Sequence, residues 1–496
     1  MATLSKGNST ASSKNDLREF VVCQIFGLAA LALVVYAVAW DNYRVLSYAI
    51  VFVAMTLVIL KPVSIPYLFV VSLFTVRGIY GNTLMFAVQI VDVSFLLLFL
   101  AFVFGKKIDL KAALSKQRAL FTILCIFMLW AIVGFIVNFY DHGFFENITS
   151  AFFIYKIVNL VIAVILFSQP EWEEHRNKIV FFFIFCVFCQ IGFAFAKEIA
   201  GGSRELKDFT RSLTGTLGAH HGMLACIMVL STGVASAAFF QLRDKYKLKS
   251  LFSICISFLC AATVLLVSGS RSSQIGMIIA VPFTVFLCFY SHKRGAWPIF
   301  LASVLLALTV LWISPVRGIA LSILGLDMSS IDNIDMSAYG RVLIWERVYE
   351  HVQHGTWLQK IVGIGIGTFN TLKFNYFLEV GMFTSGAHNN FMHVFVETGI
   401  IGLIIFLAIF IEITRKLVKR SRLGNNAAKC FLYSTLAMFF SGITQETFWF
   451  QTTFGRIWLT HMFFYLIMFN SNNNQQKGVV DAINPYIGNH KAGRVA

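Results

Sequence analysis

Charge is what this chain lacks. Only 13% of its 496 residues are Asp, Glu, Lys or Arg, against 58% hydrophobic, and so little charge excludes one or several soluble domains of that length. Cysteine offers no framework: all 9 fall in or at the edge of apolar runs, leaving none in polar loops to pair. Cys186 and Cys189 form a CxxC inside a Phe-rich run, which reads as packing and not as a redox pair. Proline is scarce, 7 in all, and no internal repeat is visible. Transporters usually carry helices broken by Gly or Pro in matching halves, and this sequence shows no such halves. A DxD motif is missing from the largest polar segment, 315–387, whose acids Asp327, Asp332 and Asp335 are scattered.

What is present is a succession of apolar runs, at 21–40, 83–104, 119–140, 148–167, 179–196, 216–240, 251–269, 297–314, 389–413 and 430–450, with shorter ones at 45–60, 63–76, 275–290 and 457–470. Most approach the roughly 20 residues that cross about 30 Å of hydrocarbon. The expected fold is an all-α polytopic membrane protein with about 12–14 transmembrane helices and one large outward loop. The first run has no small-residue cleavage site and reads as a span, not a signal peptide. The net charge of +16 is explained by orientation, not by nucleic acid: the basic residues concentrate in alternate short loops, which places both termini in the cytoplasm. Trp40, Tyr140, Trp297, Trp312 and Trp449 fall at run ends, where an aromatic belt belongs.

The polar residues gather on the outward side. In "LLVSGSRSSQIG", Arg271 stands in a minimal turn between two spans; it either snorkels to headgroups or offers a phosphate its rigid fork of donors. In "AYGRVLIWERV", Arg341 follows Gly340 near a helix start, where backbone N–H groups add to its pull on an anion. Arg347 with Glu350 has the spacing of an ordinary surface pair. "IVGIGIGTFN" holds Gly363, Gly365 and Gly367 as GxGxG, a tight turn and only a weak dinucleotide signal. His388 and Asn389 sit just before the 389–413 run. An imidazole there can take a proton, although a lone outer histidine is more often a surface residue. His388 and His393, five apart, face about 140° away from each other and cannot share a metal as an i,i+4 pair does. His393 and Glu397 share a face and read as a structural hydrogen bond. His220 and His221 form a doublet that suits packing or substrate contact better than metal. Lys156 and Asp92 lie inside runs, where charge implies a partner or a role.

Taken in order, "RSLTGTLGAHHGM" from Arg211, "SGSRSS", "GRVLIWERV", "VGIGIGTFN", and His388-Asn389 followed after nine residues by Gly399-x-x-Gly402 resemble the O-antigen ligase and O-antigen polymerase family of bacterial envelopes. The resemblance runs from about Arg211 to Thr414. It implies a membrane-embedded glycosyltransferase of the GT-C kind in the bacterial inner membrane, acting at the periplasmic face with no cofactor, nucleotide sugar or essential metal. The donor it implies is an oligosaccharide on undecaprenyl diphosphate, and the acceptor a glycan or lipid A core. Arg271 and Arg341 would hold the diphosphate and His388 would orient or deprotonate the acceptor hydroxyl. Asn389, Arg211, His220, His221, Arg347, Gly365 and Gly367 would contact substrate.

The division expected on this reading is a cytoplasmic N-terminus at 1–20, an N-terminal bundle at 21–200, the ligase- or polymerase-like region at 201–414 with its loop at 315–387, C-terminal spans at 415–470 and a cytoplasmic tail at 471–496. Lys197, Arg204, Lys207 and Arg211 crowd one outward loop against the orientation rule. A second anionic ligand would explain them, which tilts the reading slightly towards a polymerase. Membrane lipids are expected partners, together with a chain-length regulator protein. The competing readings are a transporter or flippase of lipid-linked sugars, and a channel or scaffold.

Overall fold

The computed structural model describes residues 64–73, 110–169, 171–200, 221–267, 270–289, 296–313, 336–372, 387–443 and 455–469. The apolar runs expected at 21–40, 45–60 and 83–104, both termini and Asp92 lie outside them. The described elements are helices α1 (Ile65–Leu73), α2 (Leu110–Val137), α3 (Phe144–Phe167), α4 (Glu171–Ala200), α5 (His221–Leu242), α6 (Lys247–Ala262) with a π-helical turn Thr263–Val267, α7 (Arg271–Phe289), α8 (Ala296–Ile313), α9 (Met336–His354), α10 (Trp357–Val362), a 3-10 turn Phe369–Leu372, α11 (Asn390–Arg422), α12 (Asn426–Ser441) and α13 (Gly455–Phe469). Among the described residues, 7 helices are long and apolar enough to cross a membrane, as expected of an all-α polytopic membrane protein.

Apolar surface lies on both sides of these helices. Leu129, Ile136, Leu266, Leu306 and Ile404 are more than half exposed or close to it, which a membrane tolerates and water does not. Inside, helix faces meet through small residues, because lipid-solvated helices associate by close packing. On α5, a Cβ at Gly233 would stand 2.1 Å from Ser434 Oγ of α12. Ser236 Oγ meets Ser257 Oγ of α6 at 2.6 Å, and Ser257 donates to Thr232 O at 2.9 Å. α13 is mostly apolar and correspondingly enclosed: Trp458, Met462, Phe463 and Leu466 are fully buried. Its short run therefore marks a helix inside the bundle. Lys156 is 5% exposed, with its Nζ over the rings of Phe152 and Phe153 at 5.1 and 5.5 Å. Of the CxxC, Cys186 packs on the core while Cys189 is exposed on the outer face of α4.

The two ends of the bundle differ. One is basic: Lys116 pairs with Glu173 at 3.1 Å, Lys416 donates to Gln117 Oε1 at 2.8 Å, and Arg422 donates to Leu287 O at 3.3 Å. Starts of α2 and α4 and ends of α7 and α11 therefore share that end. The opposite end carries histidines, asparagines, tryptophans and the glycine-rich loop.

Candidate active site

The site forms where three chain ends meet. α7 and α12 touch so closely that a Cβ at Gly276 would stand 2.2 Å from Ser441 Oγ and 2.4 Å from Ala437 O. Arg271, the first residue of α7, lies five residues before Gly276, about 7 Å further along the axis, and is partly buried. The residue after Ser441, Gly442, accepts the Asn390 N–H at 2.8 Å. The start of α11, and with it His388, is thereby fixed beside the end of α12 and on the same side as Arg271.

Asn389 caps α11: its Oδ1 accepts from Phe391 N at 2.9 Å and Met392 N at 3.1 Å. His388 just before it has φ +50°, the only positive φ at a non-glycine among the described residues. Such a conformation costs energy and tends to collect at functional positions. Trp345 of α9 donates its Nε1–H to Ala387 O at 2.9 Å, and Ile344, Val348, Ile364, Phe369, Ala387 and Val396 form a small second core. Arg341 stands one helical turn before Trp345, so α9 carries it to the same place; its side chain lies outside the described set.

α11 is two helices joined at Gly399, whose φ is +67°. The break frees three successive carbonyls, and each has a new donor. Val396 O takes Ile364 N–H at 2.9 Å and Glu397 O takes Gly365 N–H at 3.1 Å, while Thr398 O takes Trp130 Nε1–H at 2.9 Å. The glycine-rich loop after α10 thus docks by its backbone onto a broken helix. Side chains would prevent this approach, since a Cβ at Gly363 would stand 2.4 Å from Glu397 C and one at Gly399 2.0 Å from Ile361 O. The N–H groups of Ile364 and Gly365 are donated within the protein, so Gly365 acts through the path of the loop and not through a bared amide. A Cβ at Gly367 would press on the Phe153 ring at 2.7 Å. From below, Asn138 Nδ2 reaches Gly363 O at 3.3 Å, and His142 Nε2 lies 2.6 Å from Ile364 O.

His393 and Glu397 hold the loop from inside, 3.2 Å apart, with Glu397 Oε1 also accepting Phe369 N–H at 3.0 Å. Arg347 meets Glu350 at 2.7 Å, both partly exposed, which is the helix-surface pair its spacing allows. Arg211 and His220 lie outside the described residues. His221 opens α5, and its side chain is likewise outside the described set. Sequence reasoning missed Trp130, Asn138, His142 and Trp345, although Trp345 sits inside the quoted "GRVLIWERV".

An all-helical, multi-pass membrane protein with cationic and imidazole side chains gathered at one end of its bundle is the class that fold and site define. Residues 256–407 match the family model described as O-antigen ligase. That stretch, which contains Arg271, Arg341, His388 and Gly399, is similar to the O-antigen ligase family. The match leaves out the Arg211–Met223 motif. The search among curated proteins finds no match.

Proposed function

We propose that the protein is a membrane-embedded glycosyltransferase of the GT-C kind. It moves or polymerises oligosaccharide units from undecaprenyl diphosphate at the periplasmic face of the bacterial inner membrane. The observation that carries this reading is the convergence of Arg271, the Arg341 turn of α9 and His388 on one end of the bundle. In the reaction an acceptor hydroxyl attacks the anomeric carbon, the bond to the diphosphate oxygen breaks, and undecaprenyl diphosphate leaves. The hydroxyl proton passes to the His388 imidazole. Negative charge grows on the leaving phosphate, and fixed guanidinium groups near a low-dielectric boundary stabilise it more strongly than they would in water. The helix N-termini at Arg271 and Asn390 add to that field.

On this reading 201–414 is the working region, entered from 21–200 and closed by 415–470, with 1–20 and 471–496 in the cytoplasm. Lys197, which the structure places in the last turn of α4 and not in a loop, holds a second lipid diphosphate together with Arg204, Lys207 and Arg211, as a polymerase requires. A ligase acting on lipid A core needs only one such site, and a chain-length regulator partners the polymerase alone. Purified protein with a lipid diphosphate oligosaccharide should release undecaprenyl diphosphate. A protein that moves the intact lipid between leaflets without release is a flippase instead. His388→Ala should insert normally and lose transfer, and full transfer by that variant removes the assignment of the base.

A further inference from the structure

Beside the glycine-rich loop lies a cleft of about 400 Å³, walled by Asn138, Asp141, His142, Glu146, His351 and Gln359. Its size falls within the roughly 300–1,000 Å³ of small-ligand sites. Its chemistry is the opposite of the arginine site. Two carboxylates and no Lys or Arg line it, so a diphosphate is repelled. The hydrogen-bonding capacity left over is mostly acceptor. His142 donates Nε2–H to Ile364 O, since a carbonyl can only accept, which leaves Nδ1 as an acceptor. Asn138 spends its Nδ2 on Gly134 O and Gly363 O, which leaves Oδ1. Gln359 accepts Thr356 N–H at its Oε1, which leaves Nε2 as a donor. The His351 Nε2 is enclosed without a hydrogen-bond partner, a cost that a bound polar ligand removes. Burial also holds the His351 pKa below its usual value. The cleft borders the site through a shared core: Ile364, which lines it, packs in one cluster with Ala387, the neighbour of His388.

We infer that this cleft is a saccharide subsite, taking a neutral, hydroxyl-rich glycan unit through its hydroxyl donors while the arginines take the phosphate. The inference rests on the proposed transferase reading and deepens it. Donor and acceptor glycans share this chemistry, and kinetics separates them. The test uses the full chain in nanodiscs and, as probe, the soluble oligosaccharide released by mild acid from the producing cells' own surface polysaccharide. Binding is followed by saturation-transfer NMR. Asp141→Asn with Glu146→Gln, and separately His351→Gln, should each weaken binding by about tenfold or more in protein that melts like the parent. In transfer assays the KM of one substrate should rise with kcat held, and which KM rises names the source. Binding unchanged in both variants overturns the inference, as does wild-type protein that does not bind the probe, or binding that EDTA abolishes, which would make the cleft a cation site. Carboxylate-dependent binding without any release of undecaprenyl diphosphate supports the cleft while sinking the transferase reading.

Discussion

His393 Nε2 and Glu397 Oε1 lie 3.2 Å apart with both side chains 1% exposed, and the same oxygen holds the Phe369 N–H. One buried carboxylate therefore ties the 3-10 turn to α11. Glu397→Ala removes the carboxylate that holds His393 Nε2 and the Phe369 N–H and should cost about 2–4 kcal/mol, seen as a lower Tm in detergent. Glu397→Gln keeps an acceptor and should cost less. His393→Ala combined with Glu397→Ala should lose less than the separate losses added together, because the pair acts as one unit; simple additivity would show that the two do not interact.

Two glycines on membrane helices should respond to alanine in opposite directions. At Gly399 the added Cβ meets Ile361 O in a left-handed backbone, so Gly399→Ala should lower Tm and undock the glycine-rich loop. At Gly192 nothing lies within 4 Å, and alanine should stabilise α4 by about 0.5–1 kcal/mol. Equal effects at both positions would contradict the docking described above.

Trp345 and Asn389 fix the backbone on either side of His388 through the Ala387 carbonyl and the α11 cap. Trp345→Phe keeps the ring in the second core and loses the donor to Ala387 O, and should lower kcat about 10- to 100-fold with little change in Tm. Asn389→Ala removes the cap, at a cost of about 1 kcal/mol, whereas Asn389→Asp should restore both cap and rate. Rates that follow Tm alone would reduce both residues to scaffolding.

The pH dependence of stability should carry a mark from His351. Its folded pKa lies below the ordinary value of 6.5 because the ring is desolvated, so the unfolded chain binds the proton first. That contribution is complete above about 6.5 and is lost as pH falls through the folded value. His351→Gln should flatten this part of the Tm–pH curve, while an unchanged slope would assign the acid sensitivity to other groups.

On the proposed reading the arginines supply the positive charge, so transfer should survive EDTA. Arg271→Lys keeps charge but loses the planar fork, and should cost about tenfold or more in kcat/KM. Loss of activity in EDTA that added Mg²⁺ restores would replace the arginine account with a metal-assisted one.

The membrane fold was legible because hydrocarbon length constrains the apolar runs directly. The run at 148–167 became Phe144–Phe167 and that at 297–314 became Ala296–Ile313. The pairs Arg347–Glu350 and His393–Glu397 were legible because helical spacing alone brings them together. The docking of Asn138 on Gly363 and of His142 on Ile364 was not, since more than two hundred residues separate the partners and no local pattern encodes such a contact. The break at Gly399 was hidden for a related reason: a glycine inside an apolar run reads as helix until something is known to need the carbonyls it frees.

That break also sets where the chain can be recombined. Non-helical backbone at membrane depth survives only where protein covers it, and here the cover for Val396 O and Glu397 O comes from the Ile364–Gly365 backbone, with Trp130 covering Thr398 O. A chimera that exchanges the large loop but keeps the host's α11 would strip donors from those carbonyls. The smallest transplantable module is therefore the glycine-rich loop, the upper half of α11 and the tryptophan-bearing end of α2, moved together.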